Sequence, residues 1–374
     1  MSIEILPTEI LVQVLDDASL EIGDLAIISR VSRRWHSAVI PVLYRRFTFR
    51  YYPSLKSEEY KRLESFSKYG HHVRHLSLHI KDWVDKDDAE SEKSKSLPDV
   101  ATYLRMLDPF TEVTHVEHYD IDIRGVTWPI FLAILNYLVS SKPKLISLTI
   151  RRNLYWGLVP PSDQDLDPEK LLPTPRLSNF TSLNLQVNSK RTGPESIESF
   201  PFLVNNLVLT LGDSCRNVSK LQLYLIMGES KNPEILEALQ KTDFPLLPVD
   251  SIKELRYVLL PGIVPPTRLF HTEFGDTKVL TVPSWVCGRW MNPTWGQAPP
   301  GKSLKYFKNV ETLRITDVFE TAEGNDLERN LKFVAKHLPK LQSLILENDE
   351  RQFSISRKLD GSITWEEVAF KLKA

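Results

Sequence analysis

The chain has 374 residues, and its 47 Lys and Arg residues nearly balance its 48 Asp and Glu residues, for a net charge of −1. This balance argues against bulk nucleic-acid binding, which normally needs a basic surplus. A composition of 25% charged and 42% hydrophobic residues is typical of a globular chain, and the length suits two or three domains or one elongated repeat domain.

Cysteine usage and hydropathy bear on the compartment. Cys215 and Cys287 are the only cysteines, which excludes a disulfide framework and a four-cysteine zinc site and favours a reducing compartment, the cytoplasm or the nucleus. The N-terminus has no basic region of a secretion signal, and the longest apolar stretch, around residues 130–139, is far shorter than the about 20 residues of a membrane helix. We therefore expect neither secretion nor a membrane partner.

The first fifty residues begin with two short helical patterns. Pro7 and Thr8 stand where a first helix starts. Its apolar face carries Ile10, Leu11, Val14 and Leu15. Asp24 is expected to cap a second helix, whose apolar residues point in almost every direction. Such a helix must be buried on more than one side.

A third helical pattern follows at once. Val31, Trp35 and Val39 are four residues apart, and Pro41 is expected to end this helix. Three helices in fewer than fifty residues rarely bury enough surface to be stable alone, and this segment has no disulfide or metal site to stabilise it. The pattern therefore indicates a module whose core is completed by a second chain.

Residues 3–50 contain one continuous motif. It reads Leu6-Pro7-x-Glu9-Ile10-Leu11-x-x-Val14-Leu15, then Asp24-Leu25, then Val31-Ser32-Arg33-x-Trp35, then Pro41-x-Leu43-Tyr44-Arg45. On this motif the segment resembles the F-box. The resemblance implies a helical module that docks on the Skp adaptor, and through it on the cullin, of an SCF ubiquitin ligase. The adaptor-binding residues that it implies are Leu6, Pro7, Glu9, Ile10, Leu11, Val14, Leu15, Leu25, Ile28 and Val31, and the core residues are Trp35, Val39 and Leu43.

Two alternatives for this segment stay open. The helices could be only the N-terminal cap of a larger domain. Arg30, Arg33 and Arg34 also form a basic helical face of the kind that reads DNA. However, residues 1–50 contain six Arg and six acidic residues, so the local charge is zero, and we expect a solvated face and no nucleic-acid partner.

Beyond residue 70, a short apolar pattern recurs eight times. In most copies the order is an apolar residue, two residues of any type, a Leu-like residue, one residue of any type and another apolar residue. This alternation indicates a strand with one buried face, and the segments between copies have helical periodicity. The copies begin at Val73, Val113, Leu145, Phe180, Val218, Ile252, Val310 and Leu341, at spacings of 31 to 40 residues apart from one of 58. The sequence therefore predicts an α/β fold, in which the three-helix F-box precedes a strand/helix solenoid over residues 60–350 that is similar to an irregular leucine-rich repeat array.

Three segments interrupt this array and one ends it. Residues 82–96 are dense in charge and Ser, and residues 157–176 are rich in Pro and acids, so both are expected to be disordered. An insertion over about 261–302 carries Trp285, Trp290 and Trp295, expected to anchor it on the solenoid flank, with capture of a partner as the alternative. Asp360-Gly361 predicts a hairpin in a C-terminal cap over residues 351–374.

The sequence contains no catalytic or phosphate-binding motif, so we expect no enzyme activity and no cofactor. The repeat alignment places His75 and His115 side by side on neighbouring strands, where two imidazoles could share a metal. Glu117 is the one carboxylate that aligns beside them. We therefore expect solvated histidines and no metal.

The outward strand positions carry polar, aromatic and Arg residues, which are frequent in protein-recognition surfaces. Candidate target-binding residues are Arg151, Tyr224, Arg256 and Arg314. The sequence thus predicts a non-catalytic substrate receptor, which docks on the Skp adaptor and presents an unidentified target protein to the ligase. The alternative is a repeat scaffold that binds partners without ubiquitin transfer.

Overall fold

The computed structural model describes residues 6–17, 20–51, 68–81, 104, 107–122, 128–154, 177–189, 211–227, 252–259, 276–282, 304–316, 332–347, 350–358 and 362–369. The chain divides into two compact units, residues 1–155 with 161–179 and residues 156–160 with 180–374. The predicted loops at 82–96 and 157–176 and the three tryptophans of the insertion lie outside the described residues. Among the described residues, no helix is long and apolar enough to cross a membrane.

Three helices open the first unit, as the sequence predicts. They are α1 (Thr8–Asp17), α2 (Ile22–Ile28) and α3 (Arg33–Leu43). The Pro7 carbonyl accepts the N–H groups of Ile10 and Leu11, both at 3.1 Å, which starts α1. Asp24 is not the N-cap of α2, because Glu21 takes that place and the Asp24 carboxylate accepts the Glu21 N–H at 3.1 Å from inside the first turn.

Pro41 lies inside α3 and does not end it, in contrast to the sequence prediction. A proline removes one hydrogen bond from a helix, and here it lies in the last turn, where few bonds follow. The Tyr44 N–H still donates to the Ile40 carbonyl at 3.0 Å, and Val39 is fully buried beside it. The packing of this turn therefore outweighs the lost bond.

The sheet of the first unit has four parallel strands in sequence order. They are β1 (Arg46–Tyr51), β2 (His75–Lys81), β3 (His115–Asp122) and β4 (Ser147–Leu154). Phe47, Leu76, Val116 and Leu148 share one register row and are all buried. The helix α4 (Trp128–Ser141) precedes β4, as its apolar periodicity predicts.

Strand β1 begins within the segment that resembles the F-box and ends one residue beyond it. The Arg45 carbonyl, one residue after the turn that ends α3, accepts the N–H groups of Arg74 and His75 at 2.9 and 3.0 Å. The stacked rings of Tyr44 and Tyr69, with centroids 4.4 Å apart, add a second contact. The three helices and the first strands are therefore one packed body, and the module is not joined to the sheet by a free linker.

The second unit contains eight strands among its described residues. They are β5 (Ser182–Ser189), β6 (Lys220–Met227), β7 (Glu254–Leu259), β8 (Val279–Val282), β9 (Thr312–Ile315), β10 (Ser343–Leu346), β11 (Arg351–Arg357) and β12 (Ile363–Val368). Strands β5 to β10 pair in parallel and in sequence order. Strands β10, β11 and β12 pair antiparallel, which confirms the C-terminal hairpin.

Strand β8 corrects the sequence prediction that the interval of 58 residues carries only an insertion. This strand pairs with β7 on one side and β9 on the other, so it belongs to a further copy of the repeat. The apolar pattern missed it because Thr277 stands where the other copies have a large apolar residue. Thr277 is fully buried, and its hydroxyl donates to the Ile252 carbonyl at 3.0 Å, so a polar side chain is satisfied at this core position.

Gly70 lies where two segments of the first unit approach each other closely. A Cβ on residue 70 would lie 2.6 Å from the Pro109 carbonyl oxygen, and this neighbour is backbone that cannot rotate away. We expect Gly70→Ala to lower the free energy of unfolding by about 1–3 kcal/mol in urea titrations.

Gly23 in α2 provides the matched control for Gly70. A Cβ on Gly23 would meet no atom within 4 Å, and alanine favours the helix, so we expect Gly23→Ala to leave stability unchanged or raise it by up to about 1 kcal/mol. Equal losses for the two variants would contradict the close approach at Gly70.

Candidate functional site

Exposed apolar side chains concentrate on the three-helix module. Among the described residues, all the large apolar side chains that are exposed lie in it. They are Ile10 at 39%, Val14 at 50%, Ile22 at 75%, Ile27 at 67% and Val31 at 68% relative exposure. Clustered exposed apolar residues mark protein contact sites, so this module carries the clearest candidate interface.

The geometry of α1 explains how one helix supplies both a core face and an exposed apolar face. Leu11 and Leu15 are four residues apart and are 1% and 5% exposed, whereas Ile10 and Val14, also four residues apart, point to solvent. Neighbouring residues on a helix are about 100° apart, so the two pairs form two adjacent stripes. One stripe packs inward and the other stays available to a partner.

This division separates the predicted adaptor-binding residues by burial. Leu11, Leu15 and Leu25 belong to the buried core of the module, so their side chains pack within the chain itself. Leu6 and Ile28 are partly buried and pack against the same core. The predicted residues that are exposed are Pro7, Glu9, Ile10, Val14 and Val31.

The predicted core residues lie in or against the same cluster. Val39 is fully buried with Ala38, and Trp35 and Leu43 pack against them while keeping some exposure. Arg34 donates to the Leu6 carbonyl, which ties the segment before α1 to α3. Arg34 thus serves the module itself, and only Arg30 and Arg33 of the basic face considered from the sequence are fully turned outward.

The outward face of β1–β4 is a second candidate surface. Three register rows run across the four strands on this face. The first is Arg46, His75, His115 and Ser147; the second is Thr48, Ser77, Glu117 and Thr149; the third is Arg50, His79, Tyr119 and Arg151. Arg46, Arg50 and Arg151 are exposed, and Arg151 is one of the target-binding residues suggested by the sequence.

The structure confirms that His75 and His115 are register partners, and their rings stack with centroids 4.5 Å apart. Burial, together with nearby His115, Arg46 and Arg45, lowers the pKa of His75 to about 4, against an opposing effect of Glu117. Burial and Arg45 likewise lower the pKa of His115. Within the described part of the chain, no three His, Cys, Asp or Glu side chains are grouped so that they could hold a metal ion.

The lowered pKa of His75 predicts that acid destabilises the fold. In the unfolded chain the His75 imidazole takes up a proton near its ordinary pKa of 6.5, whereas in the folded chain it does so only near its lowered pKa of about 4. The stability that depends on the neutral ring is therefore fully present above pH 6.5 and falls as the pH drops from 6.5 towards 4. Since the ring is partly solvent-exposed, we expect a loss of only about 1 kcal/mol.

Urea unfolding of the wild type and of His75→Asn at neutral pH and at about pH 4.5 tests this prediction. The free energy of unfolding of His75→Asn should fall less on acidification than that of the wild type. The same substitution at the exposed His36 of α3 is the control. Wild-type pH dependence in His75→Asn would contradict the assignment.

The other target-binding residues suggested by the sequence lie in the second unit. Tyr224, Arg256 and Arg314 are half-buried on β6, β7 and β9. Arg256 and Arg314 are not on adjacent strands, because Thr281 of β8 lies between them in the same register row. Arg314 forms an ion pair with Glu347 at 3.8 Å, so its charge is partly balanced within the unit.

Sequence reasoning missed several of the residues that this geometry brings forward. Ile22 and Ile27 lie on a helix that is apolar all round, and such a pattern does not show which side faces solvent. Arg46 and Arg50 fall at the end of the segment that resembles the F-box, and they lie on β1. An alternating Arg46-Phe47-Thr48-Phe49-Arg50 pattern was the available signal.

Comparison with known protein families gives a match to the F-box-like family over residues 3–50. This segment contains all five exposed apolar side chains and the three helices described above. No curated protein matches the chain. The match therefore establishes an F-box-like domain at the N-terminus, and the strands beyond it are characterised by their structure alone.

Proposed function

We propose that this chain is a non-catalytic substrate-recognition subunit of an SCF-type E3 ubiquitin ligase. The observation that carries the proposal is the F-box-like segment at residues 3–50, on which all the exposed large apolar side chains of the described chain are found. F-box domains bind Skp adaptors, and an apolar exposed face is what such docking requires. Ile10 and Val14 of α1, with Ile22, Ile27 and Val31, form the adaptor-binding set in this proposal.

In the same proposal the strands beyond the module bind the target protein. The parallel, in-register strands with alternating buried residues support a leucine-rich-repeat-like solenoid, and their outward faces carry Arg and Tyr side chains suited to protein recognition. The ligase supplies the catalytic chemistry through its other subunits. This chain contributes proximity, because a bound target is held at high effective concentration near the ubiquitin-carrying enzyme.

Direct hydrogen bonding between a residue just after the end of α3 and the sheet strengthens this proposal. The Arg45 carbonyl is bonded to β2 and the preceding residue, so a target on the sheet of the first unit would be held in a fixed orientation to the docked adaptor. A flexible linker would spread the target over many positions and lower the effective concentration.

The test is reconstitution with the Skp adaptor and the cullin. The full chain, co-expressed with both, is expected to purify as a stoichiometric complex that transfers ubiquitin to proteins captured from the same cells. Failure of the folded chain to bind the adaptor would contradict the docking assignment. If the complex forms but its bound proteins neither receive ubiquitin nor accumulate when the chain is deleted, the repeat-scaffold alternative is the correct one.

A further inference from the structure

The outward face of β1–β4 carries more positive charge than its own structure balances. Arg46, Arg50 and Arg151 are exposed on it, and Glu117 is the single acidic side chain among its described outward positions. The described residues provide no ion pair for any of these three arginines. By contrast, Arg45 pairs with Asp16 and Arg74 with Glu112 elsewhere in the first unit.

Two of these arginines lie at opposite ends of one register row. Arg50 and Arg151 are separated by His79 and Tyr119, whose rings are in contact with centroids 5.4 Å apart. Neighbouring strands are about 4.8 Å apart, so three steps place the two arginine backbones about 14 Å apart. The row therefore has a cation at each end and an aromatic pair at its centre.

An extended peptide laid across the strands matches this row in both spacing and charge. Extended chain advances about 3.3–3.6 Å per residue, so residues i and i+4 are about 14 Å apart, and they point to the same side. Acidic side chains at these positions would reach Arg50 and Arg151 together. The residue at i+2 also faces the sheet and falls over the His79 and Tyr119 rings, where an aromatic side chain packs well.

We propose that this face binds an extended acidic segment of the target protein, with carboxylates at i and i+4 on Arg50 and Arg151 and an aromatic residue at i+2 on His79 and Tyr119. This inference rests on the proposed function, because it names the class of target that the receptor takes. Arg46 lies four residues before Arg50 on β1 and adds attraction at longer range.

The observations favour a protein segment over a single-stranded nucleic acid. Glu117 lies two residues before Tyr119 on the same face, where a nucleic acid would bring a phosphate at every nucleotide against its carboxylate, whereas the proposed peptide carries negative charge only at its two arginine-binding positions. A peptide backbone also offers N–H groups, which can donate hydrogen bonds to this carboxylate. The whole chain also has a net charge of −1, without the basic surplus of a nucleic-acid binder.

The test uses the full chain in complex with the Skp adaptor and short fluorescent peptides in anisotropy titrations. The reference peptide carries Glu-x-Tyr-x-Glu in a Gly-Ser background. We expect Arg50→Ala and Arg151→Ala each to weaken its binding about fivefold, and raised salt to weaken it further, since solvent-exposed charges contribute modestly and are screened. A peptide with glutamates two residues apart should bind about fivefold more weakly because only one arginine is engaged. A peptide with glutamines in their place should bind at least about tenfold more weakly because neither arginine is engaged.

Arg33→Ala, at an exposed position of α3 outside this face, is the matched control and should leave the affinity unchanged. Equal binding of all peptide spacings, equal loss in the control, or undetectable binding would overturn the proposal. Preference for phosphoserine with no binding of the glutamate peptide would overturn the carboxylate assignment, and preference for an oligothymidylate would identify a nucleic-acid surface instead. Co-purification of the adaptor in the same preparation reports separately on the proposed function, and the peptide titrations are repeated on the isolated chain if the adaptor does not bind.

Discussion

The double variant Ile10→Asp with Val14→Asp is expected to lose co-purification with the Skp adaptor while keeping the unfolding free energy of the wild type. Both side chains are at least 39% exposed, so the charges remain hydrated in the free chain. On docking, each carboxylate would have to leave water without a partner, which costs several kcal/mol in an apolar interface. We expect the dissociation constant to rise by at least about 100-fold.

Biolayer interferometry with immobilised adaptor measures this change, and urea unfolding verifies that the variant is folded. Thr48→Asp, at an exposed position on β1 of the same unit, introduces the same side chain away from α1 and is the control. Retained binding by the double variant, with wild-type stability, would remove the exposed stripe of α1 from the adaptor interface.

The adjacent residues Leu11 and Ile10 are expected to respond in opposite ways to alanine. Leu11 is 1% exposed in the core cluster of the module, so Leu11→Ala leaves a cavity and should lower the free energy of unfolding by about 2–5 kcal/mol. Ile10→Ala removes atoms that solvent already reaches and should cost less than about 0.5 kcal/mol. Ile10→Ala should instead weaken adaptor binding.

This pair of variants separates stability from binding because both residues lie on one helix and both are changed to alanine. Chemical denaturation gives the free energy of unfolding of each variant, and adaptor titration gives the dissociation constant of each. Leu15→Ala, from the same buried stripe, should repeat the Leu11 result. A Leu11→Ala variant that stays as stable as the wild type would contradict the burial of this stripe.

Much of the strand pattern could be predicted from the sequence, because alternation of apolar residues follows directly from the geometry of a strand with one buried face. All eight predicted copies contain a strand, from β2 to β10 with the exception of β8. Strand β8 was not predicted because the first core position of its copy is Thr277, a polar residue. The Thr277 hydroxyl can be buried because it donates to the Ile252 carbonyl, a neighbour that no local sequence pattern reveals.

The candidate docking surface was predicted in part. The motif located the module and its helices, but it assigned Leu11, Leu15 and Leu25 to the partner, whereas the structure buries them. An apolar residue favours burial without specifying whether the burial is within the chain or against another chain. Only the packing of α1 against α3 decides which of two adjacent stripes is left in solvent.

The sequence by itself determined the F-box-like segment, the alternating strands and the C-terminal hairpin, since each depends on residues that are close together in the chain. The tertiary structure alone decided which outward residues become neighbours. Arg50 and Arg151 are about a hundred residues apart in sequence, and they share a row only because hydrogen bonding fixes the register of β1, β2, β3 and β4. The unbalanced arginines of that face follow from register, which long-range backbone pairing sets and local propensity does not.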